Sequence, residues 1–243
     1  MKNGSSTSPA LPKRFYQSVT VEAAGGGWRV LLDGRAVKTP KRLALALPTQ
    51  ALAQAVAAEW EAQSGVINPA SMPLTKLVNS ALDGVTGREE AVRDEITAYA
   101  GNDLLCYRAG QPEALAHLQR QAWDPLLAWV RERFDAHLVT TVGIMPVAQA
   151  PEAVAKLAGA IAGFDAFALA ACHVMTTLTG SALLALAHMH GRLTLEDAWT
   201  AAHIDEDFQI SRWGEDAEAK KRRDLRLAEM RAASAFFRLS RDN

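Results

Sequence analysis

Cysteine is scarce in this chain: Cys106 and Cys172 are the only two among 243 residues, and they lie far apart in apolar surroundings. No Cys-x-x-Cys pair and no Cys/His spacing typical of a zinc site is present. His188 and His190 do not form a ligand pair, because side chains two residues apart on a helix point about 200° apart. We therefore expect two reduced thiols in a reducing compartment and no bound metal.

An excess of charge of one sign is also missing. The chain has 26 basic and 27 acidic residues and a formal net charge of -1, so no global field attracts it to nucleic acid or anionic lipid. The basic run at 220–223 is surrounded by acidic residues, among them Glu215, Asp216 and Glu218. We interpret this run as a solvated helix face and expect no nucleic-acid partner.

Motifs that bind phosphate or supply a nucleophile are absent from the sequence. The glycines at 25–27 have neither the spacing of a phosphate-binding loop nor a following helix that begins with Lys-Ser or Lys-Thr. There is no Gly-x-Ser-x-Gly, and Ser181 lies between two helical runs, where a hydroxyl at a helix break is the ordinary role. The sequence therefore predicts no nucleotide, no cofactor and no catalytic site.

A hydrophobic run suited to a membrane span is missing as well. The uncharged stretch at 166–187 is rich in alanine and contains His173, Thr176, Thr179 and Gly180, so its transfer into lipid is unfavourable. We expect two buried helices that meet near 179–180 and no membrane insertion.

Short β-prone runs occupy the N-terminal part of the sequence. The dipeptide Asp33-Gly34 separates the runs 28–32 and 35–39, which is the strongest local signal for a β-hairpin. Pro48 then marks a change to helical periodicity, although a later run at 137–142 is β-prone and isolated. The sequence predicts an α+β fold, with a small N-terminal antiparallel β domain followed by a larger, mainly α-helical domain.

Three segments follow from this pattern and from the Ser/Pro/Gly-rich start of the chain. They are a disordered tail at 1–13, a β-rich domain with its following helices at 14–85, and a helical domain at 86–243.

The helical part begins with Leu52, Val56 and Trp60, which recur every four residues. This spacing places Trp60 in a core stripe, with a binding surface as the alternative. In a later helix that starts near Pro112, Pro125 removes one backbone donor and favours a kink. Helix breaks are predicted near four glycines: Gly163, Gly180, Gly191 and Gly214.

The stretch 195–213 is predicted as one helix that begins after the N-cap Thr194 and ends at Gly214. Ile204 and Phe208 lie on one side of it, so we expect the helix to contact protein on two sides. The opposite sector holds a series of mostly apolar residues: Leu195, Trp199, Ala202, Glu206, Ile210 and Trp213.

Glu206 lies in the middle of this apolar sector, between two tryptophans. Burial of an unpaired carboxylate is costly, so two interpretations stay open: an internal salt bridge with Arg212 or a residue of another helix, or a contact that a partner completes. Because His203 lies one turn away, a hydrolase with a Glu206/His203 acid-base pair is a further alternative. The ordinary meaning of that spacing is an i, i+3 contact on a helix surface.

Eight short motifs occur in one collinear order along nearly the whole chain. They are RFY at 14–16, LDGR at 32–35, KTP at 38–40, EWEAQ at 59–63, MPLT at 72–75, Tyr99 with DLLCYR at 103–108, WDPLLAW at 123–129, and DEDFQ at 205–209 with WGE at 213–215. Together they resemble the assembly chaperones of the ATP synthase catalytic sector, specifically the family that attends the alpha subunit.

This resemblance implies ATP-independent binding of the unassembled alpha subunit, which is kept from aggregating until it pairs with the beta subunit. It implies no enzyme activity. Eukaryotic members are mitochondrial; because this chain shows no Arg-rich amphipathic presequence, we expect a bacterial, cytoplasmic member. A general helical scaffold protein stays an alternative.

The resemblance also implies roles for individual residues. The family's functional acidic position near the C-terminus falls on Glu206, which Asp205 and Asp207 adjoin. The residues expected to bind the partner are Glu206, Asp205, Gln209, Trp213 and Glu215. Those expected to form structural motifs are Trp60, Glu59, Asp33, Gly34, Pro73, Trp123 and Pro125.

Overall fold

The computed structural model describes residues 11–241, so most of the predicted tail lies outside the described residues. Pro12 and Lys13, which the predicted tail included, pair with a later part of the chain. The amide of Ile67 donates to the carbonyl of Pro12 at 2.8 Å, and Lys13 forms a β-bridge with Val66. The paired part of the chain therefore begins before Arg14.

A four-stranded antiparallel sheet forms the N-terminal part of the fold, as predicted. Its strands are β1 (Val19–Ala24), β2 (Gly27–Leu32), β3 (Arg35–Ala36) and β4 (Ala46–Leu47). β2 is central, since it pairs with β1 along one edge and with β3 and β4 along the other. A side chain at Gly27 would lie 2.7 Å from the carbonyl oxygen of Leu47, so glycine is needed where β4 approaches.

The turn at Asp33 and Gly34 confirms the predicted hairpin between β2 and β3. Both residues have positive φ, 47° and 75°, which matches the twist of a two-residue hairpin. The Asp33 carboxylate accepts the amides of Ser18 at 2.9 Å and Gln17 at 3.0 Å. These backbone bonds hold the pKa of Asp33 below its ordinary value, and they fix the segment that enters β1.

Helices make up most of the rest of the described chain, which confirms the α+β class. They are α1 (Gln50–Glu61), α2 (Pro73–Ser80), α3 (Glu89–Gly101), α4 (Glu113–Phe134), α5 (Pro151–Ile161), α6 (Ala166–Thr179), α7 (Ala182–Met189), α8 (Leu195–Ala202), α9 (Ile204–Trp213) and α10 (Ala217–Leu239). The four breaks predicted near glycines are all present, and α2 continues into a π-helical segment at Ala81–Val85.

The prediction that the β-prone run 137–142 is isolated is wrong. Two short strands, β5 (Tyr107–Arg108) and β6 (Thr141–Val142), pair in parallel. Parallel strands are joined by a long crossover rather than a tight turn, so no local turn signal marks the pair in the sequence.

Glu59, near the end of α1, holds the start of α2. Its Oε1 accepts the amide of Leu74 at 2.7 Å, and its Oε2 accepts the amide of Thr75 at 2.8 Å. Pro73 precedes these residues and has no N–H, so the carboxylate satisfies the first two amide donors of α2. Burial outweighs these bonds and raises the pKa of Glu59.

Trp60 lies at the edge of the core. Leu52 and Val56 of the same stripe are fully buried, whereas Trp60 is half-buried. The hydroxyl of Tyr16 donates to the Trp60 carbonyl at 2.7 Å, and the two rings meet edge to face with centroids 5.7 Å apart. Trp60 thus joins α1 to the segment before β1 and keeps part of its ring accessible.

α6 and α7 form the centre of the helical part, and most of their apolar residues are buried. The buried Asp103 caps α7: its carboxylate accepts the Ser181 hydroxyl at 2.6 Å and the Leu183 amide at 3.0 Å. Burial raises the pKa of Asp103 to about 6. Within residues 11–241, no helix is both long and apolar enough to cross a membrane.

α10 returns to the sheet end of the molecule. It packs against α6, α2 and α1, and the hydroxyl of Thr49 donates to the carbonyl of Leu239 at 2.5 Å. The buried apolar residues form one cluster that extends from Tyr16 to Phe236. The division of the chain at Val85 stays a prediction.

Candidate functional site

The prediction of a single helix at 195–213 is wrong, because α8 and α9 are separated by a break at His203. The amide of His203 donates to the carbonyl of Thr200 at 3.1 Å. The carbonyl of Trp199, which a continuous helix would pair with that amide, instead lies 2.8 Å from Nδ1 of the His203 ring. The His203 side chain thus replaces its own backbone amide as the hydrogen-bond partner of the Trp199 carbonyl, and α8 ends there.

The break divides the predicted apolar sector into two parts with different surroundings. Trp199 is 6% exposed, whereas Trp213 is 80% exposed. The His203 imidazole packs on the Trp199 indole with ring centroids 3.9 Å apart, and burial lowers the pKa of His203. In α9 itself only Ile204 is buried, so this helix lies on the surface.

A groove of about 250 Å³, called the α9 groove below, lies between α9 and the start of α10. Four of the five residues expected to bind the partner line it: Glu206, Gln209, Trp213 and Glu215. Ile210 adds an apolar surface, and Lys220 and Arg223 line it from α10. The structure therefore brings most of the expected binding residues together in one place.

Glu206 is half-buried in this groove. Across residues 11–241 its carboxylate forms no ion pair, whereas neighbouring charges do. Arg212, one of the partners considered from the sequence, lies over the Phe208 ring at 5.1 Å. Arg223 pairs with Asp207 at 2.5 Å. The internal salt bridge considered for Glu206 is thus not formed by the described residues.

The two cations that line this groove, Lys220 and Arg223, form ion pairs with carboxylates other than Glu206. The hydrogen bond to Asp207 is the main cause that raises the pKa of Arg223, and the nearby charges of Glu206 and Glu215 add to it. Lys220 pairs with Glu215 at 3.6 Å. A cation that entered the groove from another molecule would therefore meet the carboxylate of Glu206 in a partly desolvated setting, where attraction is stronger than in water.

Asp205 lies apart from the other four expected binding residues. The Nε2 of Gln119, in α4, donates to Oδ1 of Asp205 at 2.6 Å. Oε1 of the same amide accepts the N–H of Ala109 at 2.8 Å, and Gln119 is 1% exposed. Asp205 is therefore held toward α4, where it fixes the first turn of α9.

A second groove, which the sequence did not reveal as a site, lies on the other side of α9. It has a volume of about 470 Å³, and residues of α4, α8 and α9 line it: Leu118, Gln121, Ala122, Thr200, Ile204, Asp207, Phe208 and Ser211. The sequence signal was the position of Ile204 and Phe208 opposite Glu206, but nothing in the sequence showed which helix faces them. α9 is thus a ridge between two grooves.

The predicted motif around Trp123 lies in α4, the helix that lines one side of the second groove. Trp123 is buried, and the Arg108 guanidinium lies 5.1 Å from its ring centroid. Arg108 also pairs with Asp124 at 2.8 Å. Pro125 lies inside α4, which continues to Phe134.

A surface helix with an exposed tryptophan and a carboxylate that pairs with no cation of the described residues, flanked by two grooves, is typical of a protein that binds another protein. Comparison with known proteins identifies which class of binding protein this is. The model of the family described as ATP12 chaperone protein matches residues 13–131, which end before α9.

Similar solved structures come from two bacteria. Atp12 from Paracoccus denitrificans is 44% identical, with 95% of this chain and 99% of that chain covered and a TM-score of 0.90. The Atu1473 protein from Agrobacterium tumefaciens is 46% identical, with 94% and 86% covered and a TM-score of 0.90.

A curated relative, the mitochondrial protein atp12 of Schizosaccharomyces pombe, is 23% identical over 228 residues, which span 88% of this chain and 78% of that protein. The chain belongs to the ATP12 chaperone family of ATP synthase assembly factors. The family resemblance drawn from the eight motifs is confirmed.

Proposed function

We propose that this chain is an ATP-independent chaperone that binds the unassembled alpha subunit of the ATP synthase catalytic sector. It keeps the alpha subunit from aggregating until the beta subunit takes its place. One observation carries the choice of site: Glu206 is half-buried without an ion pair in the described chain, beside Trp213, which is 80% exposed. Family membership supports the role in assembly.

The proposed contact is a cation of the alpha subunit on the Glu206 carboxylate. Trp213 and Ile210 line the same groove, so docking removes water from the ion pair and covers apolar surface at once. A partner without a cation at this point would bury the carboxylate unpaired, which is costly. The same residue thus contributes affinity for the correct client and excludes others.

Two alternatives have less support. A hydrolase would need a histidine that a substrate can reach, but His203 is only 6% exposed and its ring packs on the Trp199 indole. A general scaffold would not need a half-buried carboxylate in an apolar groove. We therefore infer that the chain acts by binding, without catalysis, nucleotide, cofactor or metal. We also propose that it acts in the bacterial cytoplasm.

The test compares Glu206→Gln with Glu132→Gln, a matched change at an exposed glutamate of α4. Glu206→Gln should leave the free energy of unfolding within about 1 kcal/mol of wild type, because no cation of residues 11–241 forms a direct ion pair with Glu206. Its affinity for purified alpha subunit should fall by about 2 kcal/mol, which is about thirtyfold in Kd.

Thermal unfolding and light scattering by aggregating alpha subunit measure the two effects. Glu132→Gln should change neither. A lower melting temperature of Glu206→Gln with normal protection per folded molecule would make Glu206 a structural residue. Equal protection of unrelated unfolded chains by the wild-type protein would favour the scaffold alternative.

A further inference from the structure

The N-terminal sheet region is strongly basic, although the whole chain is nearly neutral. Residues 11–48 contain seven lysines and arginines and two acidic residues, a formal charge of +5, against -1 for the entire sequence. The seven basic residues are Lys13, Arg14, Arg29, Arg35, Lys38, Lys41 and Arg42. The helical part, with Glu206 in its groove, carries the compensating negative charge.

A groove of about 500 Å³ lies on this basic region, remote in sequence from α9. Three aromatic residues line it: Phe15, Tyr16 and Trp60. Phe15 is 72% exposed, an unusual state for a large apolar side chain next to two other aromatic rings. The groove therefore offers an apolar, aromatic surface to solvent.

The segment 35–38 lines the same groove, and β3 within it is the last strand of the path β1-β2-β3. Its side chains include the exposed cations Arg35 and Lys38, which form no ion pair in the part of the chain that the structure describes. Arg14, by contrast, is committed to Glu61 at 3.3 Å. The carboxylate of Asp33 is already bonded to backbone amides at the turn.

We propose that this groove binds an extended peptide segment in which carboxylates alternate with apolar or aromatic side chains. Such a segment places its apolar side chains on the exposed ring of Phe15 and its carboxylates near Arg35 and Lys38. The neighbouring strand β3, which is the last strand on its path, can pair with a short part of the peptide backbone. The backbone of Val37 and Lys38 already pairs with the segment 44–45. This groove suits carboxylates, whereas the α9 groove, which contains Glu206, suits a cation.

Charged residues on an edge strand also prevent unwanted pairing between sheets, which is a simpler role for Arg35 and Lys38. That role does not account for the exposed ring of Phe15 beside them, because an apolar ring favours association. A peptide site accounts for both the cations and the ring.

The experiment uses the full chain and a fluorescent peptide of about twelve residues in which Asp and Glu alternate with Val and Tyr. A second peptide has lysine in place of every acid. Fluorescence anisotropy at low and high salt should show binding of the acidic peptide that weakens with salt, and little binding of the basic one. Kd for the acidic peptide should rise about tenfold or more in Arg35→Glu/Lys38→Glu and in Phe15→Ser.

Two control variants separate this site from the rest of the surface. Arg192→Glu/Lys221→Glu reverses two exposed cations elsewhere and should bind the acidic peptide as wild type does, with unchanged circular dichroism in all variants. Glu206→Gln should also bind it normally, so failure here and failure at the α9 groove are distinguishable. Equal binding of both peptides, or normal binding by Arg35→Glu/Lys38→Glu, would overturn the proposal. Displacement of the peptide by a lower concentration of single-stranded RNA would overturn it in favour of a nucleic-acid site.

Discussion

The indole Nε1 of Trp123, in α4, donates a hydrogen bond of 2.8 Å to the backbone carbonyl of Ala201, in the last turn of α8. Ala201 lies two residues before the break at His203. Just after the break, Gln119 of the same α4 donates to Asp205 at 2.6 Å. α4 therefore holds the chain on both sides of the break and fixes the position from which α9 starts.

Trp123→Phe should loosen α9 because it removes the bond to Ala201 and keeps an aromatic ring in the core. The carbonyl of Ala201 loses a buried donor, which should cost about 1–3 kcal/mol of the free energy of unfolding. Hydrogen exchange should become faster at the amides of 204–213 than in α6. Trp129→Phe is the control, since that ring packs against Phe134 at 5.3 Å instead. Equal acceleration in α6 and α9 would show that Trp123 contributes only to global stability.

The turn at Asp33 and Gly34 was predictable because the backbone conformation of a two-residue hairpin is decided by its own two residues. The break at His203 was not, since no glycine or proline marks it. The break depends on the His203 imidazole, which packs on the Trp199 ring and forms a hydrogen bond with the carbonyl of that residue. A helical projection assumes a continuous backbone, so it cannot anticipate a side chain that ends the helix.

The candidate site was partly predictable for a related reason. Glu206, Gln209, Trp213 and Glu215 lie within ten positions of one another, and helical spacing with a following turn is enough to group them. The direction of Asp205 depends instead on Gln119, which lies in α4 and is distant in sequence. The same holds for the parallel pair of β5 and β6, since contacts between distant segments leave no local periodicity.

His203 should make the protein less stable in mild acid. Burial is the main cause that lowers the pKa of this ring from its ordinary value of 6.5, and the charge of Arg223 adds to it. The unfolded chain therefore binds a proton at higher pH than the folded chain does. The stability contributed by the neutral ring is present above about pH 6.5 and is lost as the pH falls below that value toward the folded pKa.

His203→Phe retains a ring beside Trp199 but cannot titrate. Urea unfolding between about pH 5 and 8 should show a smaller loss of stability in acid for this variant than for wild type. His117→Gln, at an exposed histidine of α4, should retain the wild-type dependence on pH. The assignment to His203 is wrong if the Phe variant loses as much stability in acid as wild type does.

Trp213→Ala should separate binding from folding most sharply, because its side chain is 80% exposed at the end of α9. Little buried surface is lost in the free protein, so the free energy of unfolding should change by no more than about 0.5 kcal/mol. On docking, a tryptophan at the centre of an interface contributes strongly, and its truncation typically costs about 2 kcal/mol or more. We expect Kd for the alpha subunit to rise about thirtyfold.

Leu225→Ala is the matched control, since Leu225 is a 61% exposed apolar residue of α10 that does not line the α9 groove. Isothermal titration with purified alpha subunit should show normal affinity for this control and weak affinity for Trp213→Ala. Combination with Glu206→Gln should give less than the sum of the two losses, because both residues line one groove and share the same contact. Full additivity would place Trp213 and Glu206 in separate contacts, and normal affinity of Trp213→Ala would remove this groove from the client interface.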